Sequence, residues 1–559
     1  MTITWQTATP SAGDEVLYDT IPRGGNASQC SHSATGLHHT YAGASCYIHD
    51  VELTGLTPET SYYFLCGGSG SYSEERAFQT AHAVASDFAF VAGGDSRTNL
   101  EERTQVSTAM QLFDPAFVLH SGDMVEDGSL QGLWNPWFTD VEETWVDADG
   151  YTPPIIPSLG NHERNATHYY EQFALPGNEQ WFYYDWGHTL RIIVLNSEAT
   201  ASQIAIDQAL WLRQVLYSTP DHMWKLVMFH RNLYYSGSHS NATDLITHWM
   251  PLFNKYHVDI VLQEHTHHYH RSNPMYNNTC VSSYENGTIY LTSGALGAPL
   301  VQYVEQPYSA YGAKARPFTL FRLYQNGTLH LAAKDVTGAT FDEVTLYKNI
   351  SNTGSSYRPP EADAGADRVL DEDTLYAFDG SHSLLSTDQT SYTWAFMEDT
   401  THLLSGVIVE HAFPTPGLYA VTLNVSDARE GFDTDTIAVT VRDITSPEAD
   451  AGGDQRGQVN TPIIFDASGS QDNVGIIAYA WDFGDGVTGT GVSATYQYTR
   501  SEQYEVTLTV TDAAGNSDIN IVQVTVEAEV LSSMWILLII GAVALMLVVV
   551  YRRTLMKPF

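Results

Sequence analysis

Hydrophobic positions follow two different rhythms along this chain. Between Phe88 and Leu262 they bunch into short continuous runs: Phe88-Ala89-Phe90-Val91, Phe117-Val118-Leu119, Leu226-Val227-Met228-Phe229 and Val258-Asp259-Ile260-Val261-Leu262. Runs of this length, bounded by turn residues, are what strands buried on both faces look like. Pro154-Ile155-Ile156-Pro157 is a fifth extended segment, interrupted by proline. Helical spacing is predicted over 101–113, over 204–217 with Trp211-Leu212 on the apolar face, and over 244–256. Strands alternating with helices predict a layered α/β core. From 360 to 528 the apolar residues alternate with period two, which predicts half-buried strands of β-sandwiches.

Each run of the first kind leads into a short polar motif. In order these are Gly94-Asp95-Ser96-Arg97, Gly122-Asp123, Gly160-Asn161-His162-Glu163, His230 after Val227-Met228-Phe229, and His265-Thr266-His267. Gly-Asp alone is a common turn dipeptide. Together the motifs supply two aspartates, an asparagine and three histidines, enough oxygen and nitrogen ligands for two metal ions. In α/β sheets the site lies beyond the carboxyl ends of the strands, where loops converge, and all five motifs fall there. A ligand set of Asp, Asn and His without thiolates suits Fe, Mn, Zn or Co.

The ordered set resembles the calcineurin-like metallophosphoesterases, and most closely their purple acid phosphatase branch, over roughly residues 1–346. Glu264-His265-Thr266-His267-His268-Tyr269-His270-Arg271 is similar to the family's Gly-His-x-His-x-Tyr-x-Arg, with Glu264 in place of glycine. Trp211-Leu212 with Leu216 resembles the helix before the fourth motif, and His230-Arg231-Asn232-Leu233-Tyr234 with His239 resembles a loop that carries a substrate histidine. The resemblance implies two divalent or trivalent metal ions (Fe, Zn or Mn). Asp95 and His267 would bind the first, Asp123 would bridge both, and Asn161, His230 and His265 would complete the second. His162 and His239 would contact phosphate or protonate the leaving group. The implied activity is hydrolysis of phosphate monoesters by a metal-bound hydroxide. A phosphodiesterase or nucleotidase on the same centre is the alternative, and a surface adhesion protein with a vestigial phosphoesterase domain is a reading of another class.

Two positions depart from the family. The purple branch carries, three residues after the bridging aspartate, the tyrosine that gives the colour; Glu126 stands there. The wider family has Asp-x-His in its first motif, where this chain has Arg97. The first metal therefore lacks one customary ligand. Glu126 either fills that gap or faces solvent, and a colourless protein is expected. Arg97 either grips a substrate phosphate through its planar fork or pairs with a nearby carboxylate. His120 reads as packing, and His38-His39, His168, His188, His268 and His270 are assigned no role.

The expected architecture is multidomain. Residues 1–81 have a β pattern that resembles the fibronectin III-like N-terminal domain of purple acid phosphatases. Residues 86–346 form the four-layer α-β-β-α metallophosphoesterase domain, and 347–359 a linker. Met1 falls inside what should be the second strand, so an upstream strand and a leader are expected to precede it. An internal repeat follows: Pro360-Glu361-Ala362-Asp363-Ala364-Gly365 recurs as Pro447-Glu448-Ala449-Asp450-Ala451-Gly452, and Trp394 as Trp481. These two β-sandwiches, 360–443 and 447–528, resemble PKD domains, clearest in Trp481-Asp482-Phe483-Gly484-Asp485-Gly486 and degenerate in the first copy. They read as spacers or as contacts to surface polysaccharide or protein.

The run 534–551 is uncharged from Met534 to Val550, flanked by Trp535 and Tyr551 and followed by Arg552-Arg553. It predicts one transmembrane helix, with 552–559 in the cytoplasm and the bulk of the chain outside, a single-pass cell-membrane protein. Asn-x-Ser/Thr sites such as Asn26, Asn165, Asn241 and Asn286 permit glycosylation. Of four cysteines, Cys30, Cys46 and Cys66 lie in the N-terminal domain, where a Cys30–Cys46 bridge is expected. The net charge of −40 reflects scarce basic residues, 25 against 65 acidic ones, and excludes a nucleic-acid-binding face.

Overall fold

The computed structural model describes residues 1–9, 13–237, 241–350, 358–385, 390–396, 403–429, 431–528, 538 and 540–547. The chain divides into two compact units, Met1–Ser356 and Tyr357–Phe559.

The continuous apolar runs become the central strands of two sheets. Ile155–Pro157, Val118–His120 and Phe88–Gly93 are parallel neighbours in a six-stranded sheet, which continues antiparallel through Phe318–Leu323, Thr328–Lys334 and Thr340–Tyr347. The seven-stranded sheet runs Phe182–Trp186, Leu190–Val194, Trp224–Phe229, Ile260–Gln263, Ile289–Ser293, Tyr269–Ser272 and Ser309–Ala313. Every residue of Trp224–Phe229 and of Ile260–Gln263 is buried, as expected of strands covered on both faces.

Phe90, Phe117 and Phe321 of the first sheet meet Ile192, Met228 and Leu262 of the second in one core, so the sheets pack face to face. The outer face of the first sheet is covered by helix Leu100–Gln111 through Val106 and Met110. Trp249 and Phe253 cover Phe229 on the second. The result is the expected α-β-β-α layering.

Helix boundaries depart from the expectation in three places. The pattern over 204–217 folds as a π-helical segment Gln203–Gln208 running into α-helix Ala209–Ser218. The pattern over 244–256 is two short helices, Thr243–His248 and Met250–Lys255, with Pro251, which lacks a backbone N–H, in the first turn of the second. Helix Gln131–Trp145, with Pro136 inside it, was not predicted; it buries Trp134, Trp137 and Trp145.

The N-terminal part pairs a three-stranded sheet (Thr2–Thr7, Tyr47–Glu52, Leu37–His39) with a five-stranded one built on Glu15–Asp19 and Ser61–Gly68. It docks on the α/β layers through Gln6 Nε2 donating to Gln172 Oε1 at 3.0 Å and Thr152 N donating to Ala77 O at 2.7 Å. The expected Cys30–Cys46 bridge is not formed, and all four thiols are free. Cys30 sits beside Asp19 and Glu75, whereas Cys46 is buried next to Thr40, so the two thiols occupy different environments.

In the second unit the repeat folds twice into the same pair of sheets, each around its tryptophan. Trp394 and Trp481 donate from Nε1 to Gly406 O and Gly491 O, at 3.1 and 3.0 Å. Buried Glu372 of the first copy accepts Ile444 N, Thr445 N and Asn473 Nδ2, tying the connection to both copies. The expected span 534–551 lies mostly outside the described residues; Leu538 and 540–547 are helical and exposed. Among the described residues no helix is long and apolar enough to cross a membrane.

Candidate metal centre

Three motifs leave the six-stranded sheet and two leave the seven-stranded sheet, all at strand carboxyl ends. Neither sheet alone holds a complete ligand set. Their face-to-face packing brings the two half-sets together.

One half of the centre is tightly clustered. His230 Nε2 lies 3.1 Å from Asn161 Oδ1, 3.2 Å from His265 Nδ1 and 3.4 Å from Asp123 Oδ1. The other nitrogen of His230, Nδ1, donates to Ser121 O at 2.9 Å, which aims Nε2 at the cluster. Asp123, His230 and His265 form a group of ligand atoms close enough to share one ion. Burial alone would lower the pKa of His230, but the charge of Asp123 outweighs it and holds the ring well above its ordinary range. The carboxylate of Asp123 thus makes the pocket around His230 favourable to positive charge.

The other half is Asp95 and His267. His267 Nδ1 donates to Pro299 O at 2.9 Å, and Nε2 stands 3.4 Å from Asp95 Oδ1. Both carboxylate oxygens of fully buried Asp95 lack a hydrogen-bond partner. A buried carboxylate without a partner is costly, by several kcal/mol for an isolated ion in an apolar site, and a bound cation removes that cost. The donor set therefore fits a cation in each half.

Asp95, Asp123 and His265 all have left-handed backbone, with φ of 53°, 55° and 65°. Each such residue costs about 1–3 kcal/mol and persists only where its surroundings over-determine it. Here Asp95 O accepts Gly297 N and Ala298 N at 3.0 and 2.9 Å, and Asp95 N donates to Gly122 O at 3.0 Å. A side chain on Gly160 would collide with Asp123 Oδ1 and Asp123 N, so glycine is required there.

The residue whose role the motif reading missed is Glu163. Fully buried, its Oε2 accepts Asp123 N and Gly160 N, both at 2.8 Å, and its Oε1 accepts Met124 N at 2.8 Å and Val125 N at 3.4 Å. Burial, and then the charge of Asp123, push its carboxyl up to about 7. The only available signal was its place in Gly160-Asn161-His162-Glu163.

Arg97 and Glu126 meet each other. Arg97 Nη1 donates to Glu126 Oε2 at 2.5 Å, Thr98 Oγ1 donates to the same oxygen at 3.0 Å, and Arg97 Nε stands 3.5 Å from Asp123 Oδ2. The structure places Glu126 against Arg97, with its side chain half exposed. His162 N donates to Asp123 Oδ1 at 2.9 Å, and its ring Nδ1 donates to Glu126 O at 2.7 Å. His162 Nε2 is left 3.8 Å from Asp123 Oδ2, facing the centre. His239 lies outside the described residues. His120 is buried against Ser96 Oγ and Trp137.

Residues 86–269 match the family described as calcineurin-like phosphoesterase, residues 1–80 the purple acid phosphatase N-terminal domain, and 357–441 and 444–526 the PKD domain. An uncharacterized protein of Mycobacterium tuberculosis is 23% identical over 49% of this chain, and the match spans only 60% of that relative's length. Acid phosphatase type 7 of Danio rerio is 26% identical, with 57% of this chain and 82% of that protein covered. Purple acid phosphatase 23 of Arabidopsis thaliana is 29% identical over 44% of this chain and 62% of its own length. A purple acid phosphatase from yellow lupin seeds shares the fold, with a TM-score of 0.55, 20% identity, and coverage of 63% of this chain and 72% of that one.

Proposed function

From a chain that carries a purple acid phosphatase N-terminal domain, a calcineurin-like phosphoesterase domain and two PKD domains, we propose a metal-dependent phosphatase that hydrolyses phosphate monoesters at the cell surface. The convergence of Asp123, Asn161, His230 and His265 beside the unpartnered carboxylate of Asp95 carries this reading. Two cations held there would neutralise phosphoryl oxygens and lower the pKa of a shared water toward neutrality.

The chain's own residues do the rest. Arg97, steadied by Glu126 and pointing its Nε toward Asp123, is placed to bind a phosphoryl oxygen. His162 has its Nδ1–H committed to Glu126 O, so Nε2 is the atom that holds a proton for the departing alkoxide. His239 is proposed as its partner in that step. The apolar run near the C-terminus with its following Arg552-Arg553 supports a single-pass anchor, which would leave the centre outside the cell and the PKD domains as contacts to surface polysaccharide or protein.

The test is metal analysis of the full chain, with p-nitrophenyl phosphate assayed against bis-p-nitrophenyl phosphate. At least two metals per chain and faster monoester turnover are expected, and Asp123→Ala should lose metal from both halves of the centre. A metal content of one or less per chain, unaltered by Asp123→Ala, with neither substrate hydrolysed would overturn the enzyme reading. Faster diester turnover would replace the monoester assignment with a phosphodiesterase.

A further inference from the structure

A second cluster of metal-ligating side chains stands in the N-terminal part, away from the centre just described. His38 on strand Leu37–His39 and His49 on strand Tyr47–Glu52 are directly opposed cross-strand neighbours. Asp14 enters from the turn that leads into Glu15–Asp19 of the other sheet, and its carbonyl accepts Gly36 N at 2.8 Å. His49 Nδ1 lies 2.6 Å from Asp14 Oδ1, and His38 Nδ1 lies 2.9 Å from Asp14 Oδ2. The three side chains offer a mutually close set of ligand atoms.

The far nitrogen of the buried ring also has an oxygen beside it. Thr7 Oγ1 lies 2.6 Å from His49 Nε2 and can accept from it while donating to Thr9 O at 2.8 Å. A metal-ligating histidine commonly donates its far N–H to such an oxygen acceptor. His49 is fully buried, and Trp5 stacks on it at 4.9 Å and 8°, so the ring cannot turn away.

We propose that Asp14, His38 and His49 bind a zinc ion that clips the two sheets of the N-terminal domain together. Two imidazole nitrogens and one carboxylate suit zinc, with water at the fourth position on the half-exposed His38 side. Tetrahedral zinc spaces its ligand atoms about 3.3 Å apart, and the ligand atoms of these three side chains all lie within 4.8 Å of one another. The domain has no disulfide, and small sandwiches gain most from such a staple.

Zinc binding by the chelator-stripped full chain decides the matter, most simply in Asp123→Ala, which disables the other centre. That variant should retain one zinc equivalent, and added zinc should raise its thermal midpoint. Adding His38→Ala, or Asp14→Asn in a separate variant, should weaken this equivalent at least tenfold and abolish the thermal shift. Asp123→Ala protein that takes up no zinc would overturn the proposal, leaving both rings as hydrogen-bond partners of Asp14. Uptake that His38→Ala and Asp14→Asn both leave unchanged would overturn it equally. Failure of the phosphatase reading would look different: the parent would hold a single zinc, indifferent to Asp123→Ala and lost with His38→Ala.

Discussion

Glu163→Gln should loosen the bridging ligand without touching it. Each carboxylate oxygen of Glu163 serves two backbone N–H groups: Oε2 takes Asp123 N and Gly160 N, and Oε1 takes Met124 N and Val125 N. An amide has one oxygen, so whichever way the glutamine is turned, its NH2 faces two buried donors. Two charge-assisted bonds are lost, at about 1.5–3 kcal/mol each, for a total of about 3–6 kcal/mol. At about 2 °C per kcal/mol for a large domain, the thermal midpoint of the metal-free protein should fall by roughly 6–12 °C. Because either pair of freed N–H groups, Asp123 with Gly160 or Met124 with Val125, lies on the loop that presents Asp123 or packs against it, affinity for metal should fall about 10–100-fold, the usual cost of removing a residue that orients a ligand. Calorimetry of the metal-free protein and competition against a chromophoric chelator would measure the two effects. An unchanged midpoint together with unchanged affinity would refute the claim that Glu163 holds the Asp123 loop.

Acid should destabilise the metal-free protein through buried neutral histidines. Burial pushes both His120 and His270 down to about 3, while an unfolded histidine titrates near 6.5. Between those values the unfolded chain binds more protons, so stability falls as pH drops below about 6.5, by up to about 1.4 kcal/mol per unit for each ring. Urea midpoints from pH 7 to 4.5 would show the slope, and His270→Asn should flatten it; a slope unaltered by that change would count against His270 as a source. Glu126→Gln should leave metal content unchanged while raising KM for a phosphate monoester, since Glu126 steadies Arg97; loss of one metal would instead make Glu126 a ligand. Iron-loaded protein should lack a strong visible charge-transfer band, because Glu126 stands where a tyrosinate would be needed, and absorption spectroscopy of the same samples checks this.

The strands were legible because both of their faces are buried, which writes them as continuous apolar runs such as Leu226-Val227-Met228-Phe229. Helix Gln131–Trp145 was hidden by Pro136, although Trp134, Trp137, Val141 and Trp145 keep a helical spacing. Partition of the strands between two sheets was not legible in their local pattern. Phe318–Leu323 pairs with Phe88–Gly93 across more than half the domain, and strand pairing at that separation leaves no local mark. In the site, the ligand types and their order were readable, while the partners of Arg97 and Glu126 were not. Either residue could face solvent, metal or substrate until the loops were placed. Asp14, His38 and His49 carried no motif at all, since two strands and a turn bring them together only in the fold.

The left-handed ligands connect these levels. Asp95, Asp123 and His265 would each relax to ordinary backbone in an isolated loop, at a combined gain of several kcal/mol. What prevents this is not ligand chemistry but the neighbouring chain. Gly160 leaves room for Asp123, Glu163 binds the Asp123 N–H, and Gly297 and Ala298 bind the Asp95 carbonyl. His230 O accepts Glu264 N at 2.9 Å, which carries the same restraint to the turn bearing His265. The strain is therefore met by contacts within the chain itself, which hold the three ligands in their positions. Each metal position draws ligands from both sheets, Asp95 with His267 in one and Asp123 and Asn161 with His230 and His265 in the other. The inter-sheet core of Phe90, Phe117 and Phe321 against Ile192, Met228 and Leu262 therefore holds the ligands of each position together. The apolar rhythm that first marked the strands thus also sets how closely the ligands of each position can approach one another.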